Sequence, residues 1–334
     1  MRIGLSCDLK SAFRQETVVA DDALEEYDSV ETIDIIRSSL ANLGHTVVML
    51  GGGKEFLENV VDENVDIVFN IAEGRGTYRS REAQVPAVLE MLNIPYSGSD
   101  PQCLAICLDK PLTKTLVNLA GITTPRWKVV KTEDQLGSPD LKELPLPAIV
   151  KPAYEGSSKG VRATSFTINS DETLEEIYCQ LVNYRQPVMV EEFIDGDEVT
   201  VGITGNSPPE ILGVMRILPR VKTDNFIYSL DVKRDWERLV DYECPAHLDE
   251  KVLLHIKENS LKIFEVLGCR DFARIDFRVS KNGTPYFIEI NPLPGLGTYS
   301  DLVIMALKLG WTHRGLITTV FNAALGRYPQ YVCT

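Results

Sequence analysis

Short apolar runs alternate with helical periodicities over the first hundred residues. Arg2 to Cys7, Thr46 to Leu50 and Asp66 to Ile71 read as strands. Ser29 to Leu43 and Glu82 to Leu92 carry apolar residues at helical spacing, closed by Gly44 and Asn93. Strands alternating with crossover helices predict a small parallel-sheet α/β unit. From Pro101 the texture changes. Leu104 to Leu119 predicts one helix ending at Gly121, strands follow at Trp127 to Val130 and Ala148 to Lys151, and Asp171 to Val182 predicts another helix. Farther on, Val188 to Phe193, Glu198 to Thr204 and Ile211 to Leu218 read as strands. An irregular stretch from Pro219 to Cys244 is long enough to suggest a functional loop. A helix from Asp249 to Leu267 then leads into strands at Asp271 to Val279 and Thr284 to Ile290, with helices after Ser300. The expected class is α/β and α+β, divided at 1–100, 101–189 and 190–334.

Composition narrows the function. With 44% apolar and 25% charged residues in 334, the chain is an ordinary globular one. Its net charge of −14 argues against coating nucleic acid or an anionic membrane, but does not exclude a cationic pocket. Neither a signal-peptide core nor a membrane-length apolar run is evident, so the cytosol is the expected compartment. The seven cysteines (Cys7, Cys103, Cys107, Cys179, Cys244, Cys269, Cys333) lack any C-x-x-C pair and read as reduced packing thiols. The four dispersed histidines suggest no zinc site.

The richest stretch is ARIDFRVSKNGTPYFIEINPLPG, residues 273–295. Asn282-Gly283 between alternating strands predicts a two-residue type I′ hairpin. Asp276 then lies opposite Glu289, and Arg274 opposite Asn291, all on one face, with Ile275, Phe277, Ile288 and Ile290 on the other. Carboxylates about 5 Å apart across strands repel by roughly 3 kcal/mol at an effective dielectric of 20. They need a cation, either a hard divalent ion such as Mg²⁺ on the Asp, Glu and Asn oxygens or Arg274 in a surface salt-bridge cluster.

Three further segments each carry a functional and a bland reading. IVKPAYEGSSKGV (149–161) runs a strand into Lys151 and a Gly/Ser loop that either cradles phosphate or merely connects. Gly51-Gly52-Gly53-Lys54 and Gly74-Arg75-Gly76 match neither a P-loop nor a dinucleotide fingerprint. The acidic run of VMVEEFIDGDEVTV (188–201) is either a solvated turn or a strand edge for a base followed by an acid for ribose. In FIYSLDVKRDWERL (226–239), Lys233 and Arg234 lie on a solvated loop or on a mobile lid.

In this order, PYSGSD, CLDK, VKPAYEGSSKG, EEFIDGDEVTV, DVKR, ECPA, ARID, IEINPLPG and YSDL resemble the ATP-grasp superfamily, specifically the D-alanine-D-alanine ligase group, across residues 86–310. The resemblance implies a three-domain fold with ATP gripped between the central and C-terminal domains. It also implies an ADP-forming ligation of two small amino acids through an acyl phosphate. Lys110, Lys151 and Lys233 are similar to the phosphate-holding lysines; Glu191, Glu192, Phe193 and Ile194 to the adenine edge; and Glu198 to the ribose acid. Asp276, Glu289 and Asn291 resemble ligands of two Mg²⁺ ions, with Mn²⁺ as an alternative. Arg274 and the Gly295 amide resemble the oxyanion stabilisers, Ser157 the active-site loop serine and Ser300 the hydroxyl for the second substrate's carboxylate. Homodimerisation is implied only in this way.

Several positions depart from the family pattern. Arg234 stands where the family has tyrosine. The glycine-rich N-terminal motif with its ammonium-binding glutamate is missing, leaving Glu25 or Glu26 for that place. Asn70-Ile71-Ala72-Glu73-Gly74, followed by Arg75, Arg79 and Arg81, replaces a His-Gly loop, and Pro292-Leu293 replaces small polar residues. These departures leave open a dipeptide or natural-product ligase with other substrates. A nucleotide-binding regulator without ligase activity is the remaining alternative, against which the full set of site charges speaks.

Overall fold

A computed structural model describes residues 1–12, 20–138, 141 and 143–332. Its first unit comprises β1 (Arg2–Ser6), α1 (Val30–Ala41), β2 (Thr46–Gly51), α2 (Gly53–Asp62), β3 (Ile67–Asn70) and α3 (Gln84–Met91). The strands form a parallel sheet in the order β2-β1-β3. Ser29 caps α1 by accepting the Thr32 N–H. Helix α2, unforeseen in the sequence, covers one face of the sheet through Phe56 and Val60.

Two helices, α4 (Pro101–Leu108) and α5 (Lys110–Leu119), replace the single helix expected over Leu104 to Leu119. Pro111 has no N–H to continue α4, and Asp109 starts the new helix by accepting the Leu112 N–H. The break puts Lys110 in the first turn of α5.

Next come β4 (Trp127–Val130), β5 (Ala148–Pro152), β6 (Phe166–Thr167), α6 (Ser170–Tyr184) and β7 (Val188–Glu192). They build a sheet in the order β4-β7-β5-β6, backed by Ile177 and Leu181 of α6. A division at 189/190 cuts through β7; the sheet keeps the whole strand with the central unit.

The last unit holds β8 (Gly196–Thr204), β9 (Glu210–Pro219), α7 (Leu230–Arg234), α8 (Trp236–Leu239), β10 (Val240–Glu243), α9 (Glu250–Val266), β11 (Phe272–Ser280) and β12 (Pro285–Asn291). Helices α10 (Asp301–Lys308), α11 (His313–Leu325) and α12 (Pro329–Val332) follow. The stretch expected to be irregular thus contains two short helices and an edge strand. The sheet order is β10-β9-β8-β11-β12. One face packs on α9 together with Cys103, Cys107 and Val117 of α4 and α5. Leu302, Leu316 and Phe321, from α10 and α11, pack instead on the N-terminal sheet. The three sheets are tied together by elements distant from them in sequence.

The β11–β12 hairpin corrects its expected turn. The Ser280 and Gly283 N–H groups donate to the Thr284 and Ser280 carbonyls, at 3.0 and 2.8 Å, and only Gly283 has positive φ, +83°. This is a three-residue loop with its glycine in the left-handed region. The resulting one-residue slip is undone by a bulge at Asp276/Phe277, so Asp276 still faces Glu289 and Arg274 still faces Asn291. The bulge exchanges two apolar residues. Phe287 enters the core, fully buried, and Ile288 turns to the cleft rather than joining Ile275, Phe277 and Ile290.

Candidate active site

A cleft of about 880 Å³ lies between the central and C-terminal sheets. Its lining includes Lys110, Lys151, Glu191, Glu192, Phe193, Ile194, Glu198, Lys233, Asp276 and Glu289. A second cavity of about 1260 Å³ is lined by Glu25, Glu26, Ser157, Arg234, Arg274, Asn291, Gly295 and Ser300. Tyr228, Lys233 and Asp301 line both. Every residue expected to bind nucleotide, metal or substrate therefore lines one of two adjoining spaces.

β11 supplies the wall between them. Residues 274, 276 and 278 alternate onto one face and stand opposite Gly202, Thr200 and Glu198 of β8. Asp276 accepts the Thr200 hydroxyl at 2.6 Å and Arg274 Nη2 at 2.8 Å. Arg274 also lies 3.5 Å from Asp301 and 4.0 Å from Glu289. Lys110 Nζ sits 3.4 Å from Glu289 and donates to the Glu155 carbonyl. Burial works against the Glu289 charge, but Lys110, Lys151 and Arg274 outweigh it and hold this carboxyl well below its usual range. Arg274 stays protonated because Asp276 and Asp301 more than offset its burial.

Glu191 differs from a residue that simply offers a strand edge. Its carboxylate is buried between Lys151, at 2.7 Å, and Lys114. Lys114 is fully buried, donates to the Phe287 carbonyl at 3.1 Å, and burial brings its pKa down to about 8. Sequence reading missed this lysine, although Lys110, Lys114 and Val117 follow one another on the buried face of α5. Glu192 pairs with exposed Arg126 at 3.0 Å. Phe193 meets Phe166 edge-on and carries the Arg278 guanidinium over its ring at 4.5 Å. Arg278 also pairs with Glu198 at 2.6 Å, and lies two residues beyond Asp276 on the same strand face. Burial nevertheless leaves the Glu198 pKa raised.

In the second cavity the two N-terminal glutamates separate. Arg81 contacts both Glu26 oxygens at 2.8 Å, and the Gly156 N–H and Lys159 add bonds of 2.6 and 3.2 Å. Arg81 and Lys159 outweigh burial and bring the Glu26 pKa down to about 2. Glu25 instead pairs with Arg234 at 2.6 Å, and Arg234 reaches Asp21 at 2.9 Å. Helix α7 is thus latched to the segment before α1. Lys233 lies 4.9 Å over the Tyr228 ring, whose hydroxyl bonds Asp301 at 2.9 Å. Ser157 has φ +48°, a strained conformation for a non-glycine residue at the cavity wall. A Cβ on Gly295 would come within 2.9 Å of Ser300 Oγ, so any larger residue would make that hydroxyl turn aside. Ser300 flanks α10 without using its hydroxyl as a cap.

Asp28, Glu73 and Glu82 also line this cavity, and among the described residues none of their side chains makes a hydrogen bond or ion pair. Burial, followed by neighbouring Asp8, pushes Asp28 up to about 7. Burial and the nearby Glu26 push Glu82 up to about 7, against the pull of Arg81, and Glu73 is raised by burial and Glu82. A carboxyl raised in the fold holds a proton that the unfolded chain has released, so its contribution to stability declines as pH rises from about 4 to 7. Asp28→Asn should therefore be more stable than the parent by roughly 2–4 kcal/mol at pH 8. The gain should vanish near pH 4 in urea titrations, and a pH-independent difference would contradict the assignment.

Two sheets clasping a cleft lined by lysines and by carboxylates on the β11–β12 hairpin are the architecture of the ATP-grasp class, to which the family matches that follow assign the chain. Residues 116–322 match the family model described as D-ala D-ala ligase C-terminus. A D-alanine–D-alanine ligase of Aquifex aeolicus is 35% identical, with 88% of this chain and 94% of that protein covered. The uncharacterized protein y4sG of Sinorhizobium fredii is 30% identical over 88% of each chain. Among solved structures, the D-alanine–D-alanine ligase from Bacillus anthracis complexed with ATP matches at TM-score 0.75 and 24% identity, with 98% of each chain covered. VanG D-Ala:D-Ser ligase from Enterococcus faecalis matches at 0.72 and 20%, covering 97% of this chain and 99% of that one. This chain belongs to the D-alanine–D-alanine ligase family. Among the described residues, no helix is long and apolar enough to cross a membrane.

Proposed function

We propose that the protein is an ADP-forming carboxylate–amine ligase that joins two amino acids, or amino-acid-like acids, at the expense of ATP. The observation that carries this reading is the adjacency of the two cavities across Tyr228, Lys233 and Asp301. A phosphoryl group held by Lys110, Lys151 and Lys233 in the first cavity meets a carboxylate held in the second. Transfer of that group makes an acyl phosphate, turning a poor electrophile into one with a good leaving group. The amine of the second substrate then adds, and phosphate departs. Arg274, fixed by Asp276 and Asp301, together with the Gly295 N–H, is suited to the developing oxyanion, and Ser300 to the second substrate's carboxylate.

The Asp276, Glu289 and Asn291 oxygens are a hard donor set on paired strands, which fits Mg²⁺ or Mn²⁺ bound together with phosphate oxygens. Such ions would neutralise phosphate charge during transfer. The protein's own part is to keep Glu289 ionised, which Lys110, Lys151 and Arg274 do, and to align Asp276 through Arg274 and Thr200.

D-Alanine is the first substrate to test, because several curated relatives bear that name. Asp28, Glu73 and Glu82, whose side chains have no partner among the described residues, favour an alternative first substrate carrying more positive charge than one ammonium group. ADP release measured over pairs of D- and L-amino acids, with mass spectrometry of the products, separates the readings. Release with no acid–amine pair would refute the ligase assignment. The latch residue offers a second test. Arg234→Tyr should shift substrate preference by about tenfold or more while nucleotide KM changes less than threefold, given the loss of two charge-assisted contacts. Unchanged kinetics across the panel would remove Arg234 from the pocket.

A further inference from the structure

Three cysteines outside both cavities converge on one point. Cys103 and Cys107 are four residues apart on α4 and share a face, while Cys269 follows the turn that ends α9. Cys103 Sγ lies 3.9 Å from Cys107 Sγ and 3.5 Å from Cys269 Sγ, and all three sulfurs fall within 4.8 Å of one another. All are buried and free of disulfides. Packing alone needs small apolar groups at these positions, not three sulfurs aimed at a common centre. A crosslink would use two of them and strand the third.

Three thiolates at about 2.3 Å from a soft ion at their centre place their sulfurs roughly 3.4 Å apart when that centre is pyramidal and about 4 Å when it is planar, the range of the 3.5 and 3.9 Å separations here. Charge selects among such ions. The cluster shares the apolar core with Val117, Ile122 and Ala273, and the charged groups acting on it include the carboxylates of Glu82 and of Asp100, the latter paired with Arg270 at 2.6 Å. Three thiolates around a monovalent or divalent ion would bury net negative charge there, at high cost. Around a trivalent centre they form a neutral complex. We propose that Cys103, Cys107 and Cys269 form a binding site for a trivalent thiophilic metalloid of the arsenite class.

Binding is a ligand exchange without redox change. Three As–O bonds of As(OH)₃ break and three As–S bonds form, and each thiol proton leaves with a hydroxide as water. The bound centre would tie α4, which leads directly to Lys110, to the chain entering β11 with Arg274 and Asp276.

The test uses the full-length protein, a phosphine reductant and arsenite. Expected are one arsenic per chain by mass spectrometry and three As–S distances by X-ray absorption. Affinity should be unchanged in Cys179→Ala, whose thiol is exposed, and at least about tenfold weaker in Cys103→Ala and Cys269→Ala. No binding, unchanged affinity in Cys103→Ala, or fewer than three sulfurs around arsenic would overturn the site. The absorption measurement on the unaltered protein decides the matter even if the core variants fold poorly.

Discussion

Glu289→Gln is expected to lower ADP-forming turnover by roughly 10²–10³-fold with little change in thermal stability. The exchange keeps the shape of the side chain but removes the charge that faces Lys110, Lys151 and Arg274. It also removes a hard oxygen anion from the donor set with Asp276 and Asn291. Because the side chain is about a quarter exposed at the cleft, water can solvate the cations it leaves behind. The fold should therefore survive. Steady-state kinetics with varied Mg²⁺, alongside thermal unfolding, checks both halves; near-normal turnover at every Mg²⁺ concentration would refute the metal assignment.

Glu191→Gln should do the opposite, costing about 3–5 kcal/mol of stability near pH 7. Its carboxylate is the shared counterion of Lys114 and Lys151, whose side chains are 0% and 6% exposed, so neither cation can turn to water. The pH dependence has a definite sign. Lys114 already has its pKa depressed to about 8, and losing Glu191 depresses it further. Folding the variant then requires releasing a proton that the unfolded lysine retains until about pH 10.4. The part of the deficit that comes from Lys114 should shrink as pH rises to about 8, where the parent's lysine also loses its proton, and stay level above it, which urea unfolding at several pH values would reveal. A loss below about 1 kcal/mol, the size expected of an exposed pair, would mean that the triad is not the buried unit described here.

The 273–295 hairpin shows how far local reasoning reached. Alternation placed Arg274, Asp276, Glu289 and Asn291 on one face, and the structure keeps them there. The assumed turn was one residue short, and an unforeseen bulge made up the difference. A bulge leaves no mark in side-chain period beyond its own extra residue, so the exchange of Ile288 for Phe287 could not be read. Pro111 was a legible helix break that the apolar spacing of Leu104 to Leu119 concealed. Lys114 was legible too, since lysine on the buried face of a helix requires a buried partner. Strand β10 was not, because its four residues acquire sheet character only by pairing with β9. Cys333 lies outside the described residues, so nothing here bears on its expected role as a packing thiol.

By itself the sequence determined most of the succession of elements, though not α2, β6, α7, α8 or β10, together with the faces of the β11–β12 hairpin and the family. All three rest on short-range periodicity or on motifs read within a few residues. Only the tertiary structure decided that Glu25 latches Arg234 while Glu26 is enclosed by Arg81 and Lys159. It alone left Asp28, Glu73 and Glu82 facing one cavity and brought three cysteines together in the core. Those partners are separated by tens to hundreds of residues, and the contacts among them arise from how helices and sheets pack. Packing sets which charges lose their water, and therefore which of them must find a partner.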